Sequence, residues 1–197
     1  MVYNDKLELA DFIGHHTLLY GDTNTKKTYY TAKFIQFLVE SKNYNPKQIS
    51  ILDFAPKVCF FKSIKTGGRL QDYYQEIIRC NNFQFEGEII PPRLKARNKR
   101  ELYEYMCHNY KLTSNILKEF NQNPTKILII NDISIYLHLG DKKYLLETIN
   151  KTSTFLGNSY YGRTIKRKFA SLLSLRERYY VEYLIKNIES AYLTGEK

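Results

Sequence analysis

His16–Thr28 reads HTLLYGDTNTKKT, and two kinds of local structure meet in it. His16 to Tyr20 is an apolar, strand-forming run that stops at Gly21. A polar loop follows. From about Lys27 to Ser41 the apolar side chains return at helical spacing, with Tyr30, Phe34, Phe37 and Leu38 on one face. Strand, loop and amphipathic helix in direct succession are the opening unit of an α/β fold.

The rest of the chain continues in the same alternation. Asn45-Pro46 breaks the first helix, and Ile49 to Phe54 (ISILDF) is a continuous apolar run suited to a buried strand. A long helix is expected over about Lys99 to Asn121, with Asn98 as its N-cap and Glu101 three residues later. Asn123-Pro124 ends it. Lys126 to Ile130 (KILII) is a second buried strand, closed by Asn131-Asp132. A helix from about Lys142 to Lys151 leads to a strand at Ser153 to Gly157. Ser174-x-x-Glu177 reads as a capping box opening a helix to Ile188. Ser190 to Leu193 is a short last strand. The expected fold is therefore doubly wound, a three-layer α/β/α arrangement on a mostly parallel sheet of about five strands. The length of 197 residues suits one domain over 1–197, with 57–97 as an irregular insertion or lid within it. In that segment Leu70 to Ile78 is a possible short helix, and Glu88 to Pro92 is extended and blocked by two prolines.

The loop after the first strand carries the chemistry. Gly21-Asp22-Thr23-Asn24-Thr25-Lys26-Lys27-Thr28 matches the phosphate-binding pattern G-x-x-x-x-G-K-[ST] except at one position. Gly21 takes the first glycine, Lys27 the lysine and Thr28 the hydroxyl; Lys26 stands where the second glycine belongs. Such a loop wraps a phosphate in backbone N–H groups at the positive end of a helix. The lysine reaches the β- and γ-phosphates, and the hydroxyl ligates Mg²⁺. A lysine at the glycine position resists the left-handed backbone that glycine adopts freely.

Other strand ends should face the same crevice. Asp132 ends its strand where a magnesium-holding aspartate would stand, so Thr28 and Asp132 form the candidate metal pair. Asp53, at the end of the strand that follows the first helix, is a candidate to polarise an attacking water. Asn158 is a candidate to sense a γ-phosphate. Asp53, Asp132 and Asn158 are thus the candidate catalytic residues.

Composition narrows the rest. Thirty basic against twenty acidic residues give a net charge of +10, which attracts polyanions. Eighteen tyrosines and eleven phenylalanines, without tryptophan, mostly fill a core. Basic residues beside aromatics, at Arg163, Lys166, Arg167 and Lys168 after Tyr160-Tyr161, would suit single-stranded nucleic acid. No run is long enough to span a bilayer, so no membrane partner is expected. The first residues, MVYNDKLELADF, lack the apolar core of a signal peptide. Cys59, Cys80 and Cys107 are scattered, which argues against disulfides and thiolate zinc and fits the cytoplasm. His15, His16, His108 and His138 show no metal spacing and read as packing or surface residues.

The succession YGDTNTKKTYYTAKFIQFL, ISILDFAP, KILIINDISIYL and TFLGNSYYG resembles a P-loop NTPase with a degenerate Walker A motif. Within that superfamily it is similar to the RecA-like ATPases, the small KaiC-like members above all. The resemblance covers most of the chain and fails over 57–125. It implies ATP and Mg²⁺ as ligands, a carboxylate at the end of the second strand that activates water, and homo-oligomers in which a neighbour supplies an arginine. Asp53 matches that carboxylate position, where the class usually has glutamate. Arg176 and Arg178 are candidates for that arginine.

Three functions fit this sequence. One is a nucleotide-binding protein with weak Mg-dependent ATPase activity, acting on nucleic acid or alone. A second is a small-molecule or nucleotide kinase on the same scaffold, with Arg93 to Arg100 as a lid. A third is a non-catalytic nucleic-acid-binding module whose phosphate loop has decayed.

Overall fold

Strand β1 (His16–Gly21) is paired on both sides and parallel to both neighbours: β7 (Thr154–Tyr160) on one side and the edge strand β8 (Ser190–Thr194) on the other. The computed structural model describes residues 8–61, 63–165 and 167–195. Residues 1–7, which hold most of the stretch read for a signal peptide, and Lys166 lie outside the described residues. The main sheet also contains β2 (Ile49–Asp53), β6 (Ile127–Asn131) and the two-residue β5 (Asn81–Asn82). Its order is β5-β2-β6-β7-β1-β8, and every neighbouring pair is parallel. The expected five strands are all present; β5 is the sixth.

Apolar side chains alternate across this sheet because successive residues of a strand point to opposite faces. Leu18, Leu52, Leu128, Ile130 and Phe155 join Ile116, Leu117 and Phe120 of α3 (Lys99–Gln122), Leu145 and Ile149 of α5 (Lys142–Ile149), and Val181 and Leu184 of α6 (Ser171–Asn187). Leu19, Ile49, Ile51, Ile127, Ile129 and Leu156 join Ala32, Phe34 and Ile35 of α1 (Lys27–Gln36) and Leu70, Tyr74 and Ile77 from two 3₁₀ turns. Helices thus cover both faces, and the three-layer α/β/α reading holds. A doubly buried strand residue such as Leu19 or Ile129 contributes about 2–5 kcal/mol relative to alanine.

Local signals explain where the helices start. Asn98 accepts a hydrogen bond from the Glu101 amide at 3.0 Å and opens α3 as expected. The capping box at Ser174 does not form. Helix α6 begins earlier, at Ser171, the Ser174 hydroxyl donates to the Ala170 carbonyl, and Glu177 turns inward. Helix α1 ends its regular turns at Gln36 and widens into a π turn over Phe37–Ser41.

Residues 57–97 are irregular, as their composition implies. They hold a small antiparallel hairpin, β3 (Cys59–Phe61) with β4 (Ile64–Thr66), then 3₁₀ turns at Leu70–Asp72 and Gln75–Arg79 where one helix was expected. Pro92 does not only block an extended run. It is the first residue of a short helix, α2 (Pro92–Lys95), where its missing N–H costs nothing. Near the end of the sheet stands α4 (Ile133–Leu137), entered through Asp132. No described helix is long and apolar enough to cross a membrane, and the three cysteines are unpaired.

Candidate functional site

The loop between β1 and α1 is shaped by close approach and unusual backbone. A Cβ on Gly21 would stand 2.6 Å from the Thr194 carbonyl oxygen and 2.7 Å from its hydroxyl, so only glycine fits at the strand end. Asn24 and Lys26 both take left-handed conformations, with φ of 60° and 63°. Lys26 therefore adopts the backbone that a glycine would supply there, at a cost of about 1–2 kcal/mol. The loop is tied at both ends. The Asp22 carboxylate accepts from the amides of Thr23 (2.7 Å), Arg163 (2.9 Å) and Thr164 (3.2 Å). Burial pushes its pKa up, but these donors outweigh it and hold the carboxyl below its usual range. Thr25 Oγ1 bridges to Thr194 Oγ1 at 2.7 Å and donates to the Asp22 carbonyl.

Lys27 is a partly buried cation of the loop. Its ammonium donates to the carbonyl oxygens of Gly21 (3.0 Å) and Asp22 and to Thr25 Oγ1 (3.1 Å). Burial lowers its pKa to about 8, against the opposing pull of Asp132 and Asp22. Its bonding partners in the loop are neutral oxygens. An ammonium so placed is poised for a stronger anionic acceptor.

Thr28 follows, and its hydroxyl donates to Asn131 Oδ1 at 3.3 Å. Asn131 is fully buried and joins four elements. Its Nδ2 donates to Asp53 Oδ1 (2.7 Å) and the Gly68 carbonyl (3.2 Å), while Oδ1 also accepts from Asn158 Nδ2 (2.8 Å). Asn158 further donates to Thr31 Oγ1 (3.0 Å) and accepts from the Asp132 amide (3.1 Å). The ends of β2, β6 and β7 and the start of α1 are thereby held in one hydrogen-bond network.

The predicted residues take different places around it. Residues 23–28, Asp132 and Asn158 line one cleft with about 150 Å³ of open space inside it. Asp132 has a left-handed φ of 56° and accepts from the Ser134 hydroxyl. Burial raises its pKa and Glu177 adds to the rise, although Ser134, His138 and Lys27 pull it down. Asp53 does not line this cleft. Its oxygens accept from Asn131, the Ala55 amide (3.2 Å) and the Leu70 amide (2.7 Å). Burial raises its pKa to about 6 in spite of these donors. Gly21 stands at the loop's root and Asp22 at its outer tie. Arg176 and Arg178 are engaged within the chain: Arg176 donates to the carbonyls of Leu137, Leu139 and Gly140, and Arg178 to the Tyr161 hydroxyl.

Of the opposite wall the sequence offered only the Arg93–Arg100 lid of the kinase reading, and Arg93 and Leu94 of that stretch do line the cleft. Pro91, Pro92, Arg93 and Leu94 close it from the irregular segment, with Ser134, His138 and Tyr160 beside them. Arg93 is buried and forms an ion pair with Glu177 of α6, and its guanidinium carbon lies 5.4 Å from the Tyr160 ring centre. Burial opposes ionisation of Glu177, but Arg93 and His138 hold its carboxyl below the usual range. One signal was readable. Glu177 occupies the apolar stripe of α6 with Leu173, Val181 and Leu184, where a lone acid needs a partner.

No family model matches the chain, and no curated protein does. Matches among solved structures include a KaiC-like protein from the hyperthermophilic archaeon Pyrococcus horikoshii. It is 14% identical, covers 82% of this chain and 70% of its own, and superposes with a TM-score of 0.36. A likeness that loose carries no argument about activity.

Proposed function

We propose that this chain binds a nucleoside triphosphate, ATP in the first instance, together with Mg²⁺ on the loop 21–28, and hydrolyses it slowly. One observation carries the reading: a partly buried lysine ammonium, hydrogen-bonded only to neutral oxygens of the loop it would share with a phosphate, at the start of a helix. The amides of the loop and the N-terminal end of α1 add positive potential at the same place.

The residues fit the group they would hold. Lys27 would reach the β- and γ-phosphates. Thr28 and Asp132 offer a hydroxyl and a carboxylate, the hard oxygen donors that Mg²⁺ takes. Magnesium would neutralise charge on the phosphate oxygens. Asn131 connects the Thr28 hydroxyl to Asp53 and Asn158, so a shift of Thr28 toward a ligand is felt at both. In this reading Asn158 positions rather than touches, because its amide is spent on Thr31, Asn131 and Asp132. Asp53 acts as a base only if it gives up one of its donors. That requirement, and the strained Lys26, support slow turnover. Residues 57–97 supply Thr66 to Gly68 and Pro91 to Leu94 to the cleft wall, which supports their reading as a lid.

Incubation with γ-labelled ATP and Mg²⁺ tests the reaction class. Slow release of free phosphate, abolished by chelation and by Lys27→Ala, is the expected result. Label recovered on an added acceptor would move the kinase reading to first place. Neither product from folded protein would contradict the hydrolase reading.

A further inference from the structure

The cleft wall facing the loop contains nitrogens with nothing to bond. Arg93 is 6% exposed and its Nη atoms meet the Glu177 carboxylate, yet its Nε has no hydrogen-bond partner among the described residues. His138 is 2% exposed, and both of its ring nitrogens are unpartnered. Its Nε2 lies 3.5 Å from Glu177 Oε1, beyond a good hydrogen bond, so the ring has room for a ligand acceptor. Both residues line the same cleft as Lys27, Thr28 and Asp132. Buried polar nitrogens are ordinarily satisfied, so several unpaired ones converging on a cleft mark a place built for a polar ligand.

The chemistry of that ligand follows from the groups. Arg93 is the only arginine on the described lining of this cleft. A guanidinium held flat by a carboxylate on one edge and an aromatic ring beside it keeps its remaining N–H groups in a fixed fork. That geometry favours a planar or tetrahedral oxyanion. Glu177 offsets the charge of Arg93 in the empty cleft, which lets a guanidinium stay buried there without a ligand.

We propose that Arg93, with His138 beside it, receives the terminal phosphoryl group of the bound nucleotide, so that this chain supplies its own arginine from the segment before α3. Arg93 contacts the phosphoryl oxygens, and Glu177 is its positioning residue. The inference rests on the triphosphate reading of loop 21–28 and adds to it which side of the cleft reads the third phosphate. Arg176 and Arg178 need not leave their carbonyl and phenol partners to serve another copy's site.

The test compares the affinity of folded protein for MgADP and for a non-hydrolysable MgATP analogue by calorimetric titration. The proteins are wild type, Arg93→Lys, His138→Gln, and the double variant Arg93→Met with Glu177→Gln, which leaves no buried charge unpaired. Wild type is expected to prefer the triphosphate. The double variant is expected to keep its MgADP affinity while triphosphate affinity falls about tenfold or more. Arg93→Lys is expected to lose part of the preference, because a point charge replaces the fork. If the double variant does not fold, as judged by thermal melting, Arg93→Lys carries the comparison. Equal loss of both ligands in these variants, or an unchanged preference, overturns the inference. So does a wild type that binds both nucleotides equally, with the loop reading left standing. A wild type that binds neither contradicts the loop reading itself, and this inference with it.

Discussion

Asn131 Nδ2 donates to Asp53 Oδ1 at 2.7 Å, joining the ends of two adjacent parallel strands 78 residues apart in the sequence. The same Asn131 accepts from Thr28 and Asn158. One amide therefore sets the register between the loop helix, the Asp53 carboxylate and the middle of the sheet. Burial raises the Asp53 pKa to about 6, against the pull of the Leu70 amide, Asn131 and the Ala55 amide and, least, of the Arg69 charge.

Asn131→Asp should expose this dependence. The substitution removes the donor to Asp53 and sets a second carboxyl beside it. A carboxyl whose folded pKa lies above its unfolded value destabilises the fold at high pH, and the penalty lifts as pH falls through the folded pKa. Wild-type Asp53 alone carries a penalty of about 3 kcal/mol above pH 6, relieved between about pH 6 and 4. The variant is expected to lose about 2–4 kcal/mol at pH 7.5 and markedly less at pH 5, read by urea unfolding at both pH values. Equal losses at the two would contradict the network.

Lys26→Gly should fold at least as well as wild type. Glycine removes the left-handed cost of about 1–2 kcal/mol, and its looser unfolded chain gives part of that back. A net change within about 1 kcal/mol, with nucleotide affinity equal or higher, is the expected outcome. Lys26→Val, β-branched at the same φ, should lose more than about 1 kcal/mol. Thermal melts with and without MgATP read both.

Gly162→Ala should loosen the loop from outside. The added methyl would lie 2.3 Å from the Asp22 carboxyl carbon, which must then leave the Arg163 and Thr164 amides. A loss of about 1–3 kcal/mol is expected. Combined with Asp22→Ala, the glycine substitution should cost much less, because the clash and the bonds are already gone. Additive losses in that double-mutant cycle would mean the two sites are independent.

Nucleotide binding should depend on pH through Lys27. Its folded pKa of about 8 lies below the ordinary 10.5, so burial of its charge costs most below pH 8 and the cost lifts as pH rises toward 10.5. A bound polyphosphate favours the charged amine and reverses the shift. Affinity should therefore fall as pH rises above about 8, with proton uptake on binding. Titrations at pH 8.5 in buffers of different ionisation heat measure that uptake directly. No uptake would show that Lys27 does not meet the phosphates.

Legibility in the sequence followed from how local each signal is. β2 and β6 are nearly continuous apolar runs and β1 and β7 carry shorter apolar stretches, as a buried, all-parallel setting requires. β5 is Asn81–Asn82, a pair with no strand propensity that is recruited by pairing to β2, so no local pattern announces it. The loop residues were readable because their spacing is fixed over eight positions. Arg93 and Glu177 are 84 residues apart, and only packing of α2 against the α6 side brings them together. His138 stood alone in the sequence for the same reason: the charged neighbours that face it, Arg93 and Glu177, come from α2 and α6.

The most direct measurement is calorimetric titration of MgATP into wild type and into Lys27→Met. Wild type should bind saturably. The variant should bind at least about a hundredfold more weakly, while its thermal stability matches or exceeds wild type because a partly desolvated amine has been removed. Undiminished binding by folded Lys27→Met, or no binding by folded wild type, would contradict the assignment of residues 21–28 as a phosphate-binding loop.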